Sequence, residues 1–441
     1  TARRWFLAAG TGGIDPGCPA RLMAEPSPLP PPHPFAMTQA SPLHSTDDLL
    51  EDLAGSGELL IVQDLDGVCM PLVRDPRRRQ LDPGYLHAAR RMEGHFAVLT
   101  NGEHGGSRGV NRLVERALDG QADPAREGLY LPGLGAGGVE LQNRFGQASH
   151  PGVQPSELRF LAAVPKRLAQ ALRERLPALL PELRTERLEV LLDAVVLDNT
   201  LSPSLNLNAL FAAMPGDAAR QQDLQSLARE LMEEVMEEAA ASELTASFFL
   251  HLAPNLGQRE GREQLKPAGP GGTGTTDLQL MLRGALKEVG LLVLINQTIA
   301  QRTGQAPLGD DFNVRTAPHD HPSLLALARS AIDPAQMPRL VGVGDTITSE
   351  TAADGRSWLR GGSDRGFLTL LQELGKVFGT ANRVVLVDSS GGEVDRPSLA
   401  DGRLSGISDP KDPLKIDLMI PGGPADYVRF FKALAARQAR G

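Results

Sequence analysis

Lysine is scarce in this chain of 441 residues: seven are present, Lys166, Lys266, Lys287, Lys376, Lys411, Lys415 and Lys432, and the other basic residues are arginines. Any chemistry that needs an ammonium group therefore has few candidates. Cysteine is scarcer still. Cys18 and Cys69 lie in unrelated contexts and cannot form a metal cluster, so the fold leans on its core and suits a reducing compartment, which makes the cytoplasm the expected location. No apolar run reaches the roughly 18 residues of a membrane span. Basic residues are outnumbered, 45 against 54, for a net charge of -9. That balance argues against nonspecific attraction to nucleic acid or to an anionic membrane surface. An anionic substrate has to be met by local cation density. The remainder is that of a globular protein of two or three domains, with 41% hydrophobic and 22% charged residues and a mean hydropathy of -0.19.

Proline and glycine interrupt every apolar patch in residues 1–44, which reads as a disordered extension. Its apolar stretch at 5–9 is shorter than the core of a secretory signal, and Met37 is a candidate natural start ahead of the first helix. Ser45 and Thr46 can cap a short helix carrying Leu49, Leu50 and Leu53. Four short apolar runs follow at 59–62, 96–99, 340–343 and 384–387. Each is too short for a helix and fits a strand covered on both faces, so their alternation with helical segments predicts an α/β domain. Between 142 and 276 the pattern changes to a mixed α+β insertion. Here Leu224, Leu227, Leu231 and Val235 fall on one face of a long acidic helix, and 188–197 and 248–252 read as strands. Glu230, Glu233, Glu234, Glu237 and Glu238 form that helix's solvated face. The GPGGTG stretch at 269–274 reads as the hinge where the chain returns to the core. A phosphate-cradling loop is the competing reading, but its GK[ST] ending is missing.

The first apolar run leads straight into Asp64-Leu65-Asp66-Gly67-Val68. Two carboxylates two residues apart at a strand's C-terminal end can share one cavity, and glycine lets the chain turn away. Like charges so close repel unless a cation lies between them or one carries a proton. Asp64 is then suited to bind Mg²⁺ and attack phosphorus, and Asp66 to protonate a departing alkoxide and later deprotonate water. Phe96 to Leu99 ends in Thr100-Asn101-Gly102, which offers a hydroxyl and backbone N–H groups to phosphoryl oxygens. Phosphoryl transfer also calls for a lysine. Of Lys166, Lys266 and Lys287, only Lys287 sits on a helix directly after the predicted hinge. Finally, 340–343 ends in Gly344-Asp345-Thr346, a carboxylate suited to Mg²⁺.

In this order DLDGV, VLTN, Lys287 and VGVGD resemble the four motifs of the haloacid dehalogenase superfamily. The large insertion is similar to that of its sugar-phosphate phosphatases with an α/β cap. Longer stretches, among them LLIVQDLDGVCM, EGLYLPGLGAGGVELQ, GTTDLQLMLRGALKEVG and GVGDTITSE, resemble the glucosylglycerol-phosphate phosphatases within that group. The resemblance implies a Rossmann-like core at 45–141 and 277–441 with an α+β cap at 142–276. It implies Asp64 as nucleophile, Asp66 as acid/base, and Thr100 and Lys287 as phosphoryl ligands. Mg²⁺ would lie on Asp64, the Asp66 carbonyl and Asp345. The implied activity is hydrolysis of glucosylglycerol 3-phosphate, the last step in making a compatible solute, with the upstream glucosylglycerol-phosphate synthase as a candidate partner. Trehalose 6-phosphate and sucrose 6-phosphate are the sibling substrates, and a non-catalytic sugar-phosphate sensor is the rival of another class. The position four residues after Asp345 is Ser349, where many relatives have an acid, so the second acidic ligand is open between Glu350, Asp364 and water. Asp198, Asn199, Asn206, Asn208, His251 and Asn255 are candidate sugar-reading residues of the cap.

Overall fold

A computed structural model describes residues 43–270 and 272–438. The predicted disorder of the extension up to residue 42 lies outside the described residues. The first described helix is Thr46–Leu53, whose first turn is closed by reciprocal hydrogen bonds between Ser45 and Asp48.

The main sheet has eight strands. In spatial order they are Leu418–Ile420, Arg383–Val387, Arg339–Gly344, Leu59–Gln63, Phe96–Leu99, Gly133–Gly135, Glu140–Gln142 and Ala148–Ser149. The first six run parallel, and the last two add an antiparallel edge. All four apolar runs read as strands are strands here. Both faces are covered, which explains why those runs do not alternate. Leu59 and Ile61 pack with Tyr85 and Phe431 of the helices Pro83–Arg91 and Gly423–Gln438. Leu60 and Val62 face the opposite layer with Leu291, Ile295 and Leu368 of the helices Lys287–Thr303 and Arg365–Phe378.

The inserted segment forms a second, antiparallel sheet in the order Val196–Leu197, Ser204–Asn206, Asp277–Leu282, Phe248–Ala253. One face is apolar: Leu205, Leu278, Leu280 and Leu252 are buried in the same cluster as Leu168 and Leu231 of the long helices Pro155–Leu179 and Ala218–Ala241. The acidic run on the latter helix is solvated as expected, with Arg175 bridging Glu230 and Glu234 at 2.5 and 2.8 Å. The chain is therefore an α/β core with an inserted α+β cap.

Three details depart from the sequence reading. Residues 185–195 form a helix, Thr185–Val195, because Leu188, Leu191, Leu192 and Val195 recur at helical spacing and are its buried face. The strand Asp277–Leu282 pairs inside the second sheet, so that sheet runs past the expected boundary at 276. GPGGTG is correspondingly not the return to the core. Gly269 and Gly272 close a tight turn through two mutual backbone hydrogen bonds of 2.9 and 3.0 Å, and strands of the cap lie on both sides of it. The return comes at Gly284, whose φ is +89 and where a Cβ would fall 2.2 Å from the Val314 carbonyl oxygen, leaving no room for a side chain. The guanidinium of Arg315 touches both connections. It donates to Glu157 at the start of the outgoing helix and to the Arg283 carbonyl on the return.

Candidate active site

Asp64, Thr100 and Asp345 each follow the C-terminal end of a parallel strand. The first strand is flanked by the other two, the edge at which open α/β sheets build ligand sites. Lys287 starts its helix on one side of that edge, and its Nζ lies 2.7 Å from Asp64 Oδ2 and 2.7 Å from Asp364 Oδ1. The four elements expected to converge thus do converge. Asp66 lies beside them, held by Arg79 at 2.9 Å.

Three carboxylates, Asp64, Asp345 and Asp364, offer oxygens within 4.8 Å of one another, and Lys287 is the one ammonium among them. Burial pushes the Asp64 carboxyl up to about 6; Lys287 opposes this and Asp364 adds to it. Burial, then the charges of Asp364 and Asp64, holds Asp345 well above the usual carboxylate range. Lys287 stays protonated: burial works against its charge, but Asp364 and Asp64 outweigh it. The cluster has more negative charge than one lysine offsets. Asp345 Oδ2 is shut away from water without a hydrogen-bond partner. Gly67, at φ +79, approaches so closely that a Cβ there would fall 2.2 Å from that oxygen. An oxygen-lined, charge-deficient pocket with an orphaned carboxylate oxygen fits a hard divalent cation.

Between Glu350 and Asp364, the geometry distinguishes plainly. Glu350 pairs with Lys266 at 2.8 Å, away from the carboxylate cluster. Asp364 is fully buried, and its second oxygen accepts the backbone N–H groups of Asp345 and Thr346 at 2.9 and 3.0 Å. The sequence between the two acids is a β-hairpin, Thr348–Thr351 with Trp358–Gly361, closed at its base by the Asp364 N–H donating to the Thr346 carbonyl at 3.1 Å. The hairpin thus brings Asp364 back beside Asp345 and Asp64.

A cavity of about 160 Å³ opens from this cluster toward the cap. Thr100 lines it, nearly buried; its Oγ1 accepts the Gly102 N–H at 3.2 Å, leaving the hydroxyl proton free to donate into the cavity. Of the candidate cap residues, Asn199, Asn206 and Asn208 line the cavity. Asp198 pairs on the outside with Arg108. His251 bridges Asn101 and Glu263 at 2.9 Å each. Asn255 holds the backbone of Gly257 at 2.8 Å and of Gly362 at 3.3 Å, so it ties the hairpin to the cap. Sequence reasoning missed Arg79, Glu103, Asp277, Gln279 and Arg396. Glu103 lay in view in VLTNGEH; its carboxylate accepts from Thr200, Leu201 and Ser202 of the cap at 2.7 to 3.0 Å. Arg79 and Arg396 carry no spacing signal, although a chain so poor in lysine has to meet anions with arginine.

Among known proteins, the glucosylglycerol-phosphate phosphatase of Synechocystis sp. is 46% identical over 400 residues, covering 88% of this chain and 95% of that one. This chain also resembles solved structures at lower identity, among them the following two. The C-terminal domain of trehalose-6-phosphate phosphatase from C. albicans has a TM-score of 0.43 and 11% identity, covering 90% of this chain and 98% of that one. The trehalose-6-phosphate phosphatase of Aspergillus fumigatus has a TM-score of 0.38 and 12% identity, covering 90% and 100%. Residues 58–435 match the glucosylglycerol-phosphate phosphatase family. Since that match runs through the main sheet and the whole inserted segment, the chain belongs to the glucosylglycerol-phosphate phosphatase family.

Proposed function

We propose that this chain is a Mg²⁺-dependent phosphatase that hydrolyses glucosylglycerol 3-phosphate through an aspartyl phosphate on Asp64. The observation that carries the reading is the Lys287 ammonium, shared between Asp64 and Asp364 beside the unpartnered oxygen of Asp345. The Asp64 carboxylate attacks phosphorus, the bond from phosphorus to the glycerol oxygen breaks, and Asp66 protonates the departing alkoxide. Water then attacks the aspartyl phosphate. Asp66 takes its proton, inorganic phosphate leaves and the Asp64 carboxylate is restored. Lys287 offsets the charge on the phosphoryl oxygens, and Thr100 donates its hydroxyl to one of them. Asp64, Asp345 and the Asp66 carbonyl would hold Mg²⁺, whose charge would further offset that of the phosphoryl group. The cap over the cavity excludes bulk water and meets the sugar with carboxamides. A cytoplasmic site of action suits Cys69, a free and buried thiol, and no helix among the described residues is long and apolar enough to cross a membrane. The upstream synthase that supplies the phosphate ester is the natural partner.

The test is phosphate release from glucosylglycerol 3-phosphate with and without EDTA, beside trehalose 6-phosphate and sucrose 6-phosphate. Rapid, EDTA-sensitive release from the first substrate is expected, with Asp64→Asn inactive but folded. Faster cleavage of trehalose 6-phosphate would overturn the substrate, and an active Asp64→Asn enzyme would overturn the covalent route.

A further inference from the structure

The cap sheet turns a polar face toward the cavity. Asp277 and Gln279 stand two residues apart on one strand, so both project to the same side, while Leu278 and Leu280 project to the other and are fully buried. Across the ladder Asp277 is paired with Asn206 and Gln279 with Ser204. Asp277, Asn206 and Gln279 all line the cavity. Gln279 Oε1 is hidden from water and lacks a hydrogen-bond partner. Burial pushes Asp277 up to about 6, and Arg396 is the foremost charge opposing that rise.

Arg396 comes from the other side, on the loop that follows the strand Arg383–Val387, and also lines the cavity. Its Nη1 donates only to the neighbouring Asp395 carbonyl, at 3.4 Å, and its Nε is buried with no partner. Among the described residues, then, a carboxylate on the cap and a guanidinium on the core share one cavity yet form no ion pair; the foremost charge favouring the Arg396 guanidinium is Asp345, with Asp277 next. Opposite charges removed from water normally close to contact, because separation leaves each incompletely solvated. Here the two stand on different layers, with hydrogen-bonding capacity unspent on both sides, at Gln279 Oε1 on the cap and Arg396 Nε on the core.

The chemistry of the gap selects its occupant. A phosphoryl group would suit Arg396 but be repelled by Asp277, and an amine would suffer the reverse. A neutral polyol satisfies both, since a hydroxyl donates to a carboxylate or to a carboxamide oxygen and accepts from a guanidinium. We infer that Asp277 on the cap and Arg396 on the core form a specificity pair, with Gln279 beside them, that reads hydroxyl groups of the glucosylglycerol moiety across the cavity. The inference rests on the proposed function and deepens it. Because the two residues belong to different layers, a bound polyol bridges cap to core, and substrates lacking hydroxyls lose that bridge.

The experiment compares wild type, Asp277→Asn, Arg396→Gln and Arg396→Lys on two substrates, glucosylglycerol 3-phosphate and p-nitrophenyl phosphate, which has no polyol. For Asp277→Asn and Arg396→Gln, kcat/KM on the natural ester is expected to fall about tenfold to a hundredfold, mainly through KM, as for loss of a hydrogen bond to a charged group. On p-nitrophenyl phosphate it should stay within about twofold of wild type. Arg396→Lys, which keeps the charge but not the planar fork, should recover part of the loss. Equal losses on both substrates in Arg396→Gln would assign that residue to the phosphoryl group and overturn the inference. So would unchanged kinetics in both the Asp277 and Arg396 variants. The Arg396 variants sit on a loop and read the inference even if Asp277→Asn folds poorly. A wild-type enzyme that cleaves p-nitrophenyl phosphate but not glucosylglycerol 3-phosphate would instead overturn the substrate assignment, and this inference with it.

Discussion

Asp364 engages both carboxylate oxygens, one with Lys287 and the other with two backbone N–H groups. It therefore acts through its neighbours: it aims the lysine and fixes the turn that presents Asp345. Its role could not be read from spacing, because 19 positions separate it from Asp345, whereas Asp64, Asp66, Thr100 and Asp345 were legible from their places at strand ends. His251 gives this scale its prediction. Burial works against charge on its ring, but the Glu263 carboxylate beside it outweighs burial and holds the imidazole above its usual value. A group whose folded value is raised adds stability that is complete below the unfolded value, about 6.5. That contribution is lost as pH rises through the raised folded value. His251→Gln should therefore destabilise the protein by about 3 kcal/mol near pH 6, as expected for breaking a buried pair. The gap to wild type should narrow by pH 9. Urea titrations at the two pH values read it, and a gap independent of pH would mean that the imidazole is not held charged.

Strands and helices were unequally legible. The parallel strands announced themselves because burial on both faces removes any need for polar residues within them. The helix Thr185–Val195 was misread since its run of leucines and valines was counted as apolar content rather than by period. Val190, 61% exposed in its midst, marks the solvent side that a strand covered on both faces would lack. The hairpin that follows VGVGD was invisible, because nothing local in 348–361 says that its ends meet. It docks on the cap through close backbone contact: a Cβ on Gly361 would lie 2.2 Å from the Gly257 nitrogen and 2.3 Å from Asn255 Oδ1. Gly361→Ala should thus force the hairpin off the cap strand Asn255–Arg259 and cost about 1–3 kcal/mol, with a rise in KM for the sugar phosphate. Gly57→Ala, which meets open space, should stay within about 0.5 kcal/mol of wild type in the same urea titration. Equal stability of the two variants would show that the hairpin contact is slack.

For the whole molecule, the α/β class and the existence of an insertion followed from the order of elements, but its edges did not. That 277–282 is a strand of the second sheet, paired on both sides, is visible only in the assembled fold. The same holds for the charge deficit at the site, which arises when residues 64, 345 and 364 are gathered around one lysine. A cation that binds there only in the folded state must raise global stability by mass action. At a Mg²⁺ concentration a hundredfold above its dissociation constant the gain is about 2.7 kcal/mol. Thermal melts should show it in wild type and not in Asp345→Asn; an equal rise in both would move the ion elsewhere. Arg315 adds a mechanical consequence. One guanidinium grips the outgoing and returning crossings alike, so any opening that preserves its bonds is a swing about that corner, as a door turns on its jamb. Displacement in such a swing grows with distance from the pivot, and Arg315 is not among the residues that line the cavity.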